Sequence, residues 1–86
     1  MIKVKKAVMD APTSSGAGSN VDNATHVRVY NSGGTIRLVT VQEADNTLIG
    51  TFNLAAGAVE YVDKNITDEI FAAHGDIQLT NVIVVG

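Results

Sequence analysis

The side chains able to do chemistry in this chain are few and scattered. His26 and His74 are the only imidazoles, set among nine carboxylates. An imidazole beside a carboxylate can bind a metal or act as a base. Neither histidine stands at a recognisable ligand spacing, and both read as solvated surface groups. The run Asp63-Lys64-Asn65-Ile66-Thr67-Asp68-Glu69 places oxygen ligands at intervals that suit a hard cation. It departs from an EF-hand where that loop is strictest, with Asp68 in place of the glycine and His74 in place of the bidentate glutamate. The expectation is a polar turn in which Thr67 and Asp68 cap their own backbone. Ser14, Ser15 and Ser19 have no base at a productive spacing and no nucleophile elbow. The stretch Ser14-Ser15-Gly16-Ala17-Gly18 lacks the lysine of a phosphate-binding loop. Two Asn-x-Thr sequons, at Asn23 and Asn65, are read as chance matches. These residues argue against an enzyme, and they imply no metal and no cofactor.

The elements that position these groups follow from composition. The chain has 86 residues, enough for one domain with a thin core. Twelve valines and seven isoleucines outnumber four leucines, and eight threonines join them. Side chains branched at Cβ suit a pleated surface. The expected fold is all-β, a small antiparallel sandwich or barrel of about seven short strands in a single domain, 1–86. With no cysteine, disulfides and thiolate metal sites are excluded, and oligomerisation becomes the natural source of extra stability.

Charge is uneven. Lys3, Lys5 and Lys6 are half of the basic residues; from Ala7 onward three basic residues face nine acidic ones, a net charge of −6. Such a body repels phosphate, so no nucleic acid partner is expected. No apolar run is long enough for a membrane helix. The start MIKVKKAVMD has no extended apolar segment of the secretory kind, and cytoplasmic synthesis is expected.

Along the chain, Ile2 and Val4 share a face of a first strand over 2–9, and the parity slip after Lys6 calls for a bulge. Residues 10–23 read as a flexible Gly/Ser-rich loop, either a crossover or a binding loop. In the strand 24–31, Val27 and Val29 point inward, and His26, Arg28 and Tyr30 share the outer face. That trio is a small binding patch or an ordinary solvent face. Asn31-Ser32-Gly33-Gly34 predicts a hairpin to 35–42, and Glu43 to Asn46 a turn into the next strand, making a three-stranded meander. Thr47 to Ala73 is the expected centre: Leu48, Gly50, Phe52 and Leu54 on one face, a turn at Ala55-Ala56-Gly57, and a return strand Val59 to Val62 as a second hairpin. Ile77 to Val85 is apolar on both faces through Val82, Ile83, Val84 and Val85, so it is either a central strand or one covered by another subunit. Its natural partner is the N-terminal strand. With Tyr30, Phe52, Tyr61 and Phe71 as the only aromatics, a stacking platform for sugars or bases is not expected.

Four segments carry a family resemblance: THVRVYN at 25–31, IRLVTV at 36–41, LIGTFNLAAGAVEYVDK at 48–64 and NITDEIFA at 65–72. With the lysine-containing start and the Ser/Gly-rich loop, they resemble the small β-sandwich virion proteins of marine tailed phages, especially cyanophages. The likeness runs from about Ala24 to the end. Ile66 stands where that family often has proline before the Thr-Asp pair, which leaves the geometry of that turn open. The resemblance implies a structural protein of the virion, a capsid decoration or accessory protein, assembled in the host cytoplasm. It implies a homo-oligomer, trimer or hexamer, bound to the major capsid protein or another virion protein. The interface residues expected on this reading are Lys3, Lys5 and Lys6, Val82 and Val84, and Tyr30 with Arg28. The alternative is a binding module that recognises a carbohydrate or protein receptor through the 10–23 loop and the Tyr30 face.

Overall fold

The computed structural model describes residues 1–85. It contains eight strands: β1 (Ile2–Val4), β2 (Met9–Asp10), β3 (His26–Asn31), β4 (Arg37–Gln42), β5 (Leu48–Leu54), β6 (Val59–Asp63), β7 (Glu69–Ala72) and β8 (Ile77–Val84). One 3₁₀ turn, Ser15–Ala17, is the only helix among the described residues. The chain is all-β and antiparallel throughout.

The strands form two sheets. One runs β1-β8-β3-β6, with β2 continuing the β1 column against β8; the other runs β5-β4-β7. An isolated bridge from Ser19 to Ile70 adds the start of a fourth column beside β7. Columns ordered one-eight-three-six in one layer, and Ser19-seven-four-five in the other, are the order of a jelly roll. The inner faces meet in one core: Val27, Val29, Ile77 and Leu79 from the first sheet against Val39, Leu54, Ile70 and Ala72 from the second. The smallest dimension, 19 Å, is that of two layers about 10 Å apart with their outer side chains.

The β4–β5 turn is a true hairpin, as its sequence predicts. Asn46 supplies the left-handed residue at φ 71°. The Thr47 hydroxyl and N–H bind the Asp45 carboxylate and hold its pKa below the ordinary 3.8. The hairpin carries one irregularity: Val41 pairs with Gly50 but Gln42 with Leu48, so Ile49 is an extra, bulged residue. The bulge reverses the parity, and this corrects the expected single face. Gly50, Phe52 and Leu54 turn inward while Leu48 turns out.

The other two expected hairpins do not form. β3 pairs with β6 and β8, never with β4, and β5 pairs with β4, never with β6. The turns at 31–34 and 55–58 are crossings between the sheets. Both are held by Asn31, whose parity with Val27 and Val29 puts its amide in the core. Its Nδ2 donates to Thr35 O at 2.7 Å and Leu54 O at 2.9 Å, and its Oδ1 accepts from Gly33 N at 3.0 Å. Its own N–H and carbonyl bind Ala58 O and Gly57 N. Gly57, at φ +73°, takes the left-handed position that the second crossing needs.

The 10–23 segment packs into the sandwich. Ala11 and Val21 are core residues. Ala11 N donates to Ile77 O, and Ser19 exchanges both backbone bonds with Ile70. Gln42, buried, accepts from Ser15 Oγ at 2.8 Å and donates to Ser15 O at 2.8 Å and Glu69 Oε1 at 3.0 Å. Gly18 lies so close that a Cβ would stand 2.6 Å from Gln42 Nε2, which excludes any larger residue without movement. Val21, Asp22 and Asn23 form a left-handed turn with φ of 54°, 57° and 60°, costly for a β-branched valine. Ser19 Oγ, the Asn20 side chain and Asn81 Nδ2 hold it in place. The parity slip near Lys6 is real: residues 5–8 span the gap that only residues 80–81 span on β8.

Asn31 therefore joins both crossings, and changing it tests them. Asn31→Ala leaves the buried Leu54 carbonyl, the Thr35 carbonyl and the Gly33 N–H without their partner and is expected to cost on the order of 2 kcal/mol in urea unfolding. Asn31→Asp keeps the acceptor but sets a carboxylate against two carbonyl oxygens, and should cost at least as much. A loss below about 0.5 kcal/mol for both would show that the crossings stand without it.

Candidate interaction surface

The outer face of the β1-β8-β3-β6 sheet spans four columns, and the ladder register gives its layout. Residues opposite one another share a face. One row reads Val59-Tyr30-Gln78-Asp10, the next Tyr61-Arg28-Thr80, the third Asp63-His26-Val82-Val4, and the last Val84-Ile2.

The Arg28 guanidinium sits 5.3 Å from the Tyr30 ring centroid, a cation–π contact between next-but-one residues on one face. Tyr61, directly opposite Arg28, completes a patch of two tyrosines and an arginine. These are the residue types over-represented at protein contacts. Beside it, His26 Nε2 lies 2.9 Å from Asp63 Oδ1, and Thr25 Oγ1 lies 3.1 Å from His26 Nδ1. Hydroxyl, imidazole and carboxylate in that order can activate a nucleophile where water is excluded. Here the Asp63 side chain is 86% exposed and Thr25 is also exposed, so the chain of bonds steadies the His26 ring on the sheet.

At the β6 edge the sandwich is open. A groove of about 370 Å³ runs between β5 and β6, its lining including Ile49, Phe52 and Val62 with Glu60, Tyr61 and Asp63. At the opposite edge lies the terminal ribbon of β1 and β8. Met1 is 92% exposed, Val4 62% and Val84 57%, and Lys3, Lys5 and Lys6 project around them.

The structure places the expected residues unequally. Arg28 and Tyr30 are together on the patch, half-buried. The three lysines and Val84 are free at the ribbon. Val82 is a correction: it is fully buried on the outer face and offers nothing to another subunit. The two-sided apolarity of β8 comes from its central place, flanked by β1 and β2 on one side and β3 on the other. His74 lies at the far end, in contact with Asp76, which also meets Arg37 Nη2 at 3.6 Å. Among the described residues no three His, Asp or Glu side chains converge on a common point. Asp68 is buried and accepts from Asn65 N at 3.0 Å, so of the two residues expected to cap this turn Asp68 does so and Thr67 does not. Tyr61 and Glu60 were not legible as surface partners of Arg28 and the groove. Their positions follow from β6 pairing with β3, which no local pattern announces.

Lys64 closes the β6 end, its Nζ donating to Ala24 O at 2.7 Å. Burial pushes its pKa below the ordinary 10.5, opposed by the nearby Asp68 and Glu69 carboxylates. The unfolded chain therefore binds this proton more tightly than the folded one, and stability should rise as pH climbs through the lowered folded-state pKa toward 10.5. Comparing urea midpoints across that range with those of Lys64→Met isolates the effect; equal slopes would show that the lysine is fully solvated.

No family model, curated protein or solved structure matches the chain.

Proposed function

We propose that this chain is a non-enzymatic structural module of a phage virion, a capsid decoration or accessory protein that works as a homo-oligomer on the shell. The observation that carries the reading is the jelly-roll order of its strands, taken with the four segments that resemble virion proteins of marine tailed phages. Jelly rolls serve in capsids and in lectins, so the fold by itself is an analogy, and the surfaces must bear the weight. They are suited to lying flat against other proteins. One face carries Arg28, Tyr30 and Tyr61 in a plane, and one edge carries exposed Val4, Val84 and Met1 among lysines. Repeated on a symmetric shell, modest contacts of this kind add by multivalency. In this reading the lysines meet an acidic patch of the major capsid protein.

A second reading, a receptor- or carbohydrate-binding module, draws on the two tyrosines gathered on one open face, where a sugar ring can stack. The two readings part in one experiment on capsids of a marine tailed phage. Purified chain is mixed with decoration-free heads and sedimented. Wild type should co-sediment at a fixed ratio to the major capsid protein, and reversing Lys5 and Lys6 to glutamate should reduce occupancy about tenfold at moderate salt. Failure of wild type to bind heads, with binding instead to immobilised glycans that Tyr61→Ala abolishes, would move the function to the second reading.

A further inference from the structure

The geometry points to head-to-tail self-assembly, in which the β1 edge of one copy pairs with the β6 edge of the next and continues the sheet. This deepens the homo-oligomer part of the proposed function and makes no use of the shell.

Both strands are outer columns of the same sheet, and each has a partner on one side only. β1 is antiparallel to β8, β8 to β3, and β3 to β6. Directions thus alternate across four columns. A second copy added with the same face outward sets its β1 beside β6 in the antiparallel sense that the ladder already has.

Charge and polarity then match on both faces. Lys3 pairs with Ile83 and Glu60 with Val29, so both extend from the inward side of the sheet. Ile2 and Val4 pair with Val84 and Val82, and Tyr61 and Val59 with Arg28 and Tyr30, so all four lie on the outer side. One register satisfies all of them. With Lys3 opposite Glu60, Ile2 falls beside Tyr61 and Val4 beside Val59. Met1, 92% exposed in the single chain, falls opposite Val62 at the apolar wall of the groove between β5 and β6. The groove then has an occupant, and an exposed methionine has a pocket.

The symmetric alternatives are poorer. β1 against β1 brings lysines face to face, and β6 against β6 sets Glu60 and Asp63 among like charges; like charges directly opposite are destabilising. Free, flat, partly apolar edges are also what a monomer ordinarily blunts, and here the lysines of one edge complement the acids of the other. A heterologous contact of this kind closes into a ring when its rotation allows, and otherwise propagates.

The test is the mass in solution of the full chain by light scattering behind a sizing column, across a concentration series. Wild type should give a concentration-dependent integer multiple of 9.0 kDa. Lys3→Glu and Glu60→Lys should each weaken assembly about tenfold, and the double variant carrying both should restore it. Both side chains are exposed, and circular dichroism will report whether each variant folds. Tyr61→Lys, on the outer face of the same register, is a second disruption independent of the charge pair. A wild-type monomer at the highest concentration reached would overturn the proposal. So would an oligomer that Glu60→Lys and Tyr61→Lys leave intact. Assembly without binding to heads removes the shell reading and keeps this one, while head binding by a monomer does the reverse.

Discussion

The two crossings at one end of the sandwich depend on a single buried amide. Asn31 ends β3 on the core face, where its parity demands an apolar side chain. Its three side-chain hydrogen bonds and two backbone bonds instead tie the start of β4, the end of β5 and the entry to β6 to one point. A buried polar group is tolerable only when it is satisfied, and satisfaction here requires both sheets to be present in their correct places. The same logic recurs on the outer side of the second sheet. Gln42 binds Ser15, Asn46 and Glu69, and so fastens the long N-terminal connection across β4 and β7. Two uncharged amides thus specify how the layers are joined, while the valines and isoleucines between them supply the adhesion.

This division explains what could be read beforehand. Alternation tells which side of a strand is buried, and it placed Val27 and Val29 inward and Arg28 with Tyr30 outward. Apolarity on both faces at Val82 to Val85 gave the alternatives of a central or a covered strand, and the topology places β8 centrally. Alternation says nothing of which strand is the neighbour. Ser32-Gly33-Gly34 and Ala55-Ala56-Gly57 turn the chain as their glycines suggest, but into the opposite layer. The clue was Asn31 itself, a polar residue in an inward position that could only be satisfied by backbone from another element. Leu48 went astray for a local reason, the extra residue Ile49, which no propensity marks.

The surface was legible to the same degree. The lysine cluster and the Arg28–Tyr30 pair stand out in one dimension because their members are near one another in the chain. Tyr61, Glu60 and the groove beside them join the picture only through the β3–β6 and β4–β5 ladders. Val82 looked like surface because its neighbours in sequence are apolar on both sides; in the sheet it lies in a row between His26 and Val4 and has no exposure left. The segment 10–23 looked mobile because its residues are small and polar, yet small residues are what a connection pressed against Gln42 and Ile70 requires.

The central place of β8 has a consequence for the order of events during synthesis. The strand that joins β1, β2 and β3 into one sheet is the last of the eight to be made. Until then the N-terminal strands have no ladder partner, and β3 has only β6. Nearly every pairing joins distant parts of the chain, a topology that folds in milliseconds to seconds rather than microseconds. The nascent chain must therefore carry β1, β2 and one side of β3 unpaired until β8 follows.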